Sequence, residues 1–156
     1  MSSPAPDLPR VRALLLAQER GTPMRRVPEA LALAGQGFAG CRHTRRALGH
    51  KRQLLLLDEA SLAQLGLEVG QLKENVVVAG LALQALPPGQ RLALGPEVRV
   101  ELSEPCVPCW KLDALRPGLL QESWGRRDQH ARAVLGAVLL LDVNPDAPRP
   151  IVPKLP

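Results

Sequence analysis

Two of the chain's three cysteines stand close together inside Ser103-Glu104-Pro105-Cys106-Val107-Pro108-Cys109-Trp110-Lys111-Leu112. A C-x-x-C pair can hold a metal ion, cycle between dithiol and disulfide, or offer a single thiolate as nucleophile or ligand. Pro105 and Pro108 fix the backbone and remove amide donors, so the segment predicts a shaped loop after a strand. Cys41 begins a second group, Cys41-Arg42-His43-Thr44-Arg45-Arg46, which continues to His50-Lys51-Arg52. Cys41, His43, Cys106 and Cys109 together make a complete tetrahedral zinc set of three sulfurs and one imidazole. The single residue between Cys41 and His43 is an unusual spacing for two ligands of one ion. A thioredoxin-type redox pair needs a long helix after the cysteines, and Pro117 arrives too soon for one. A serine hydrolase has no G-x-S-x-G elbow to start from.

The net charge is +5, and only Lys51, Lys73, Lys111 and Lys154 among the twenty basic residues are lysine. Arginine favours forked contacts to phosphate and carboxylate. The basic block 41–52 invites a nucleic-acid reading, but no aromatic is interleaved for base stacking and no finger or helix-turn-helix pattern surrounds it. A solvated loop or a pocket for a small anion ranks ahead of DNA or RNA. No basic start with an apolar run marks a signal peptide, and no apolar run approaches a membrane span. Three cysteines are too few for a disulfide framework and odd in number, which points to a reducing compartment. The expectation is a cytoplasmic protein.

Short strands must position these groups. Residues 11–16 predict a first strand, and 52–57 a second that is apolar on both faces. Asp58-Glu59-Ala60-Ser61-Leu62-Ala63-Gln64-Leu65-Gly66 predicts a short helix with an acidic first turn and a glycine stop. The β-branched run within 75–80 predicts a strand. Residues 91–94 and 98–103, joined by Gly95-Pro96-Glu97, predict a hairpin. Pro117-Gly118 breaks any helix after the cysteine loop, and 131–143 returns to strand composition. Five of the sixteen prolines fall in 144–156, an extended strap or a disordered tail. The whole predicts one mainly β domain over 1–143, a closed or semi-closed barrel with a few short helices, followed by the tail 144–156. Aromatics are only 2% of the chain, so the core must be Leu, Val and Ala.

Several segments, in order, resemble a known family. Gly21-Thr22-Pro23-Met24-Arg25-Arg26-Val27 and Gly35-Gln36-Gly37-Phe38-Ala39-Gly40-Cys41-Arg42-His43 are similar to the opening of a MOSC domain, the C-terminal domain of molybdenum-cofactor sulfurase. Arg52-Gln53-Leu54-Leu55-Leu56-Leu57-Asp58-Glu59 resembles its next strand, and Gly70-Gln71-Leu72-Lys73-Glu74-Asn75 its G-x-x-x-E-N element. Leu86-Pro87-Pro88-Gly89-Gln90-Arg91-Leu92-Ala93-Leu94-Gly95 resembles its hairpin. Pro108-Cys109-Trp110-Lys111-Leu112 resembles its P-C-x-K-L segment.

The resemblance implies a mixed β-barrel that binds a pyranopterin molybdenum cofactor (molybdopterin), carries sulfur for one, or both. It implies that Cys109 is the catalytic thiolate and molybdenum ligand, a soft donor for a soft centre. Arg42, His43, Arg45 and Arg52 would meet the pterin's phosphate, Asn75 the heterocycle, and Glu74 would orient an arginine. An external electron-donor or sulfur-donor protein is implied, and N-hydroxylated compounds as substrates of such a reductase. The alternative reading is a zinc-binding or C-x-x-C redox module without molybdenum. The chain departs from the family at Gly40-Cys41, where Gly-Asp is usual, and at Gly125-Arg126-Arg127-Asp128 and Leu141-Asp142, which match only partly.

Overall fold

The structure is a computed structural model that describes residues 9–46, 52–95, 97–105, 111–123, 129–135, 138–140 and 151–154. Residues 106–110, with Cys106 and Cys109, lie outside the described residues.

In chain order the strands are β1 (Arg10–Leu16), β2 (Arg25–Val27), β3 (Glu29–Leu33), β4 (Gly37–Phe38), β5 (Leu54–Asp58), β6 (Val76–Ala79), β7 (Arg91–Leu94), β8 (Val98–Pro105), β9 (Gln129–Leu135), β10 (Val138–Leu140) and β11 (Ile151–Lys154). Four short helices accompany them: α1 (Arg42–Arg46), α2 (Glu59–Leu65), α3 (Lys111–Leu115) and α4 (Leu119–Ser123). Eight strands form one sheet in the order β11-β7-β8-β9-β5-β6-β1-β2, and β10-β3-β4 form a second. β5 and β6 run parallel, with α2 between them in the chain. The other pairings among the described residues are antiparallel.

Strand periodicity explains why β5 and β6 read as apolar throughout. Leu54, Leu56, Val76 and Val78 point into the main core, with Leu14, Leu92, Val100 and Leu102 of the large sheet and Ala30, Ala32 and Phe38 of the small one. Leu57 and Val77 point the other way, to a second cluster with Ala13, Leu15 and Leu62 of α2. Strands buried on both faces lose the polar alternation that a one-sided sheet keeps.

The mainly β class with few helices is as expected. The barrel is open in form: β11 and β2 end the large sheet, and no ladder joins them among the described residues. The basic block, expected as a loop, is helical over Arg42–Arg46. Part of the proline-rich tail is a strand, with Ile151–Lys154 paired antiparallel to β7. Proline cannot donate to a ladder, so Pro153 is tolerated because β11 is an edge. No helix among the described residues is long and apolar enough to cross a membrane.

Candidate functional site

The first half of the basic block is fastened at one corner of the large sheet. Arg42 N–H donates to the Ala17 carbonyl just beyond β1 at 2.8 Å, and Cys41 N–H to the Phe38 carbonyl at 3.2 Å. Thr44 Oγ1 donates to the same Phe38 carbonyl at 2.5 Å, tying α1 to β4. Gly37 permits this fit. Its φ is +120°, and a Cβ there would lie 2.9 Å from Thr44 Oγ1 and 3.0 Å from the Gln53 carbonyl oxygen.

Asn75 is the hub of the corner. Its backbone N–H donates to the Leu55 carbonyl at 2.8 Å, and its carbonyl accepts from Leu15 N–H at 2.9 Å. The side chain repeats the pattern. Oδ1 accepts from Leu55 N–H at 3.1 Å, and Nδ2 donates to the Leu15 carbonyl at 3.2 Å. One residue thus bridges β5 and β1 with both its main chain and its amide, and it is fully buried. Nδ2 also donates to Cys41 Sγ at 3.4 Å, and Oδ1 lies 3.4 Å from His43 Nδ1.

Cys41 is a buried free thiol. Its sulfur also accepts from Ala17 N–H at 3.3 Å. Burial pushes the thiol's pKa up, but it is outweighed by hydrogen bonds from the His43 ring and from the Ala17 and His43 backbone amides, and by the His43 charge. The pKa falls from 9.0 to about 7. At neutral pH a substantial share of Cys41 is therefore thiolate.

The expected site residues divide. His43 and Asn75 meet directly, and Arg42 precedes His43 as a half-buried neighbour. Arg45 lies on α1, with its side chain outside the described part. Arg52 is exposed and forms an ion pair with Glu104. Glu74 holds no arginine among the described residues: Oε1 accepts from Gly70 N–H, and Oε2 is buried without a partner. Of the zinc set, Cys41 and His43 are neighbours, while Cys106 and Cys109 fall outside the described residues. Among the described residues no three His, Cys, Asp or Glu side chains gather as a metal site. The Asn75–Cys41 contact spans 34 positions and leaves no mark in local sequence. Only the Cys-x-His spacing hinted that Cys41 belonged with the ring.

The cysteine segment leaves the same sheet. The row Asn75, Leu55, His130, Glu104 crosses β6, β5, β9 and β8 through adjacent backbone partners. Three interstrand steps of roughly 4.8 Å separate the His43 corner from Glu104 by about 14 Å, and Glu104 stands two residues before Cys106.

This two-sheet arrangement defines a MOSC-type fold. The sequence model of the MOSC domain matches residues 43–140, and the chain belongs to that family. The match takes in His43, Arg45, Arg52, Asn75 and Cys109 and starts just after Cys41 and Arg42. Among solved structures, YuaD from Bacillus subtilis is similar with a TM-score of 0.67 at 15% identity, over 86% of this chain and 92% of that one. YiiM from Escherichia coli has a TM-score of 0.64 at 19% identity, over 94% of this chain and 71% of that one. A crystal structure described as a hypothetical protein has a TM-score of 0.69 at 16% identity, over 86% of this chain, which spans 65% of that one. At these identities the likeness shows the fold. No curated protein matches the sequence.

Proposed function

We propose that this MOSC domain binds a pyranopterin molybdenum cofactor or carries sulfur for one, with Cys109 as the thiolate that bonds the metal or the sulfur. The observation that carries the reading is the shared sheet. Arg42 and His43 stand at one end of a strand row whose other end, Glu104 with its partner Arg52, leads into the cysteine segment. A row of about three strand spacings suits an elongated ligand, with an anionic end at the arginines and a soft centre at the sulfur.

The residues present fit such a group. Arg42 is a half-buried donor suited to a phosphate, His43 stands half-buried beside it, and the molybdenum would supply a redox centre to the bound form. Arg52, held by Glu104, is oriented beside the segment and not left to wave in solvent. Asn75 spends its amide on Leu55, Leu15 and Cys41, so it serves the ligand through His43.

The test separates the two cysteines. Cys109→Ser should abolish molybdenum or sulfur loading, whereas Cys106→Ser should keep most of it. Metal content after expression with ample molybdenum, and mass spectrometry after incubation with a small-molecule persulfide, which passes its outer sulfur to the thiolate and leaves as a thiol, read this directly. Equal and complete loss in both variants, with zinc at one per chain in the parent, would establish the zinc or dithiol alternative instead.

A further inference from the structure

The amide of Asn75 cannot be turned round. Oδ1 accepts from Leu55 N–H at 3.1 Å and Nδ2 donates to the Leu15 carbonyl at 3.2 Å, and a flip would set donor against donor and acceptor against acceptor on both sides. The atom facing His43 Nδ1 at 3.4 Å is therefore an acceptor. An acceptor there requires the proton on Nδ1. One acceptor, held by backbone bonds on both sides of its amide, thus fixes the proton on that ring nitrogen.

We propose that Asn75 is a positioning residue that locks His43 in its Nδ1–H tautomer, leaving the Nε2 lone pair as the ring's contact for a ligand. The inference rests on reading this corner as a ligand site. Nδ1 faces the fully buried Asn75, whereas His43 as a residue is only half-buried. A neutral His43 then receives an N–H or O–H of the ligand, such as an amino or ring N–H of a pterin, and the phosphate falls to the arginines. Were the ring free, exchange between tautomers would cost it this selectivity.

The full chain labelled with ¹⁵N-histidine tests the lock. His43→Gln identifies the His43 signals, and spectra are taken at about pH 8, where an ordinary imidazole is neutral. The expected pattern is an N–H-type shift at Nδ1 and a pyridine-type shift at Nε2. Asn75→Asp, which keeps an acceptor opposite Nδ1, should retain that pattern. Asn75→Ala should move the two nitrogens toward a common averaged shift. An Nε2–H pattern or averaged shifts in the parent would overturn the proposal, as would an Asn75→Ala spectrum identical to the parent's. Cofactor loading plays no part in the readout, so the lock and the molybdenum reading fail separately.

Discussion

Among the described residues, Glu74 holds a buried side-chain oxygen without a hydrogen-bond partner, which is costly. Its carboxyl is fully buried, with one oxygen on Gly70 N–H and the other without a partner. Burial raises its pKa above 4.5, against the pull of the Gly70, Glu74 and Leu72 amides and of Lys73. A raised carboxyl pKa means that the folded state holds the proton more tightly. The group's contribution to stability is present below 4.5 and is lost as pH rises through the folded value. Glu74→Gln keeps the acceptor for Gly70 and removes the buried charge, so it should stabilise the fold at pH 7 by on the order of 1 kcal/mol. Denaturant unfolding at pH 7 and pH 5 checks this: the advantage should shrink at the lower pH. A Gln variant that is weaker by the same amount at both would mean that Oε2 has a partner such as a buried water. Cys41 runs the opposite way. Its pKa is lowered from 9.0 to about 7, so its contribution is complete above pH 9 and is lost as pH falls through 7. Cys41→Ser should therefore cost more as pH rises from 7 to 9, by up to roughly 2–3 kcal/mol, in paired urea titrations. A flat difference would mean that the thiol is not held as thiolate. Residue types made Arg42 and His43 candidates for ligand contact in the sequence. The role of Asn75 was not legible, because its partners Leu15, Leu55 and Cys41 reach it only through folding.

At the scale of elements, what could be read was whatever is specified locally. Helix α2 follows from its ends. Asp58 Oδ1 accepts from Ser61 N–H at 2.6 Å, and Gly66 closes the helix at φ 68°, ψ 28°. Asp58→Ala should cost about 1 kcal/mol. Gly66→Ala should cost a similar amount from backbone strain alone, since a Cβ there meets nothing within 4 Å. Gly37→Ala should cost more than either. It combines φ +120° with contacts of 2.9 and 3.0 Å to Thr44 Oγ1 and the Gln53 carbonyl, and relief requires α1 to move. Thermal melts of the three variants give the order. The Gly37 variant should also alter the His43 ring signals, which the α2 variants should leave alone. Equal losses in all three would mean that α1 is not pinned through Gly37. The hairpin β7–β8 and strands β5 and β6 were legible for the same reason: alternating residues, a continuous leucine run and a β-branched run mark them locally. β2, β3 and β4 were not. They are two to five residues long, too short to carry a pattern, and pairing completes them: β1 for β2, the distant β10 for β3 and β3 for β4. α1 escaped because its helix depends on anchors at Ala17 and Phe38.

The molecule as a whole is an open sheet wrapped on a smaller one, and its weak points are its edges. One edge is β2, where Arg25 and Arg26 are exposed; charge on an edge discourages pairing with another chain. The other edge would be β7 were it not covered by β11. β7 carries Leu92 and Leu94, both fully buried, and an uncovered edge with such residues is a template for association. β11 ends the sheet with Pro153 opposite Leu92, and proline presents no N–H to a further strand. The tail thus covers an aggregation-prone edge with a short strand interrupted by proline. Its own stability is small, because the four residue pairs of its ladder, at about 1 kcal/mol each, are nearly offset by the entropy of ordering the strand. Deleting residues 151–156 should therefore leave the melting temperature within a few degrees while exposing β7. Hydrogen exchange on the truncated chain should show lost protection at the β7 amides that face β11 and unchanged protection in β5 and β6. Light scattering on warming should show association at a lower temperature than in the full chain. Unchanged β7 protection and scattering would show that β11 does not cover that edge in solution, and a collapse of β5 and β6 protection would show that it supports the core itself.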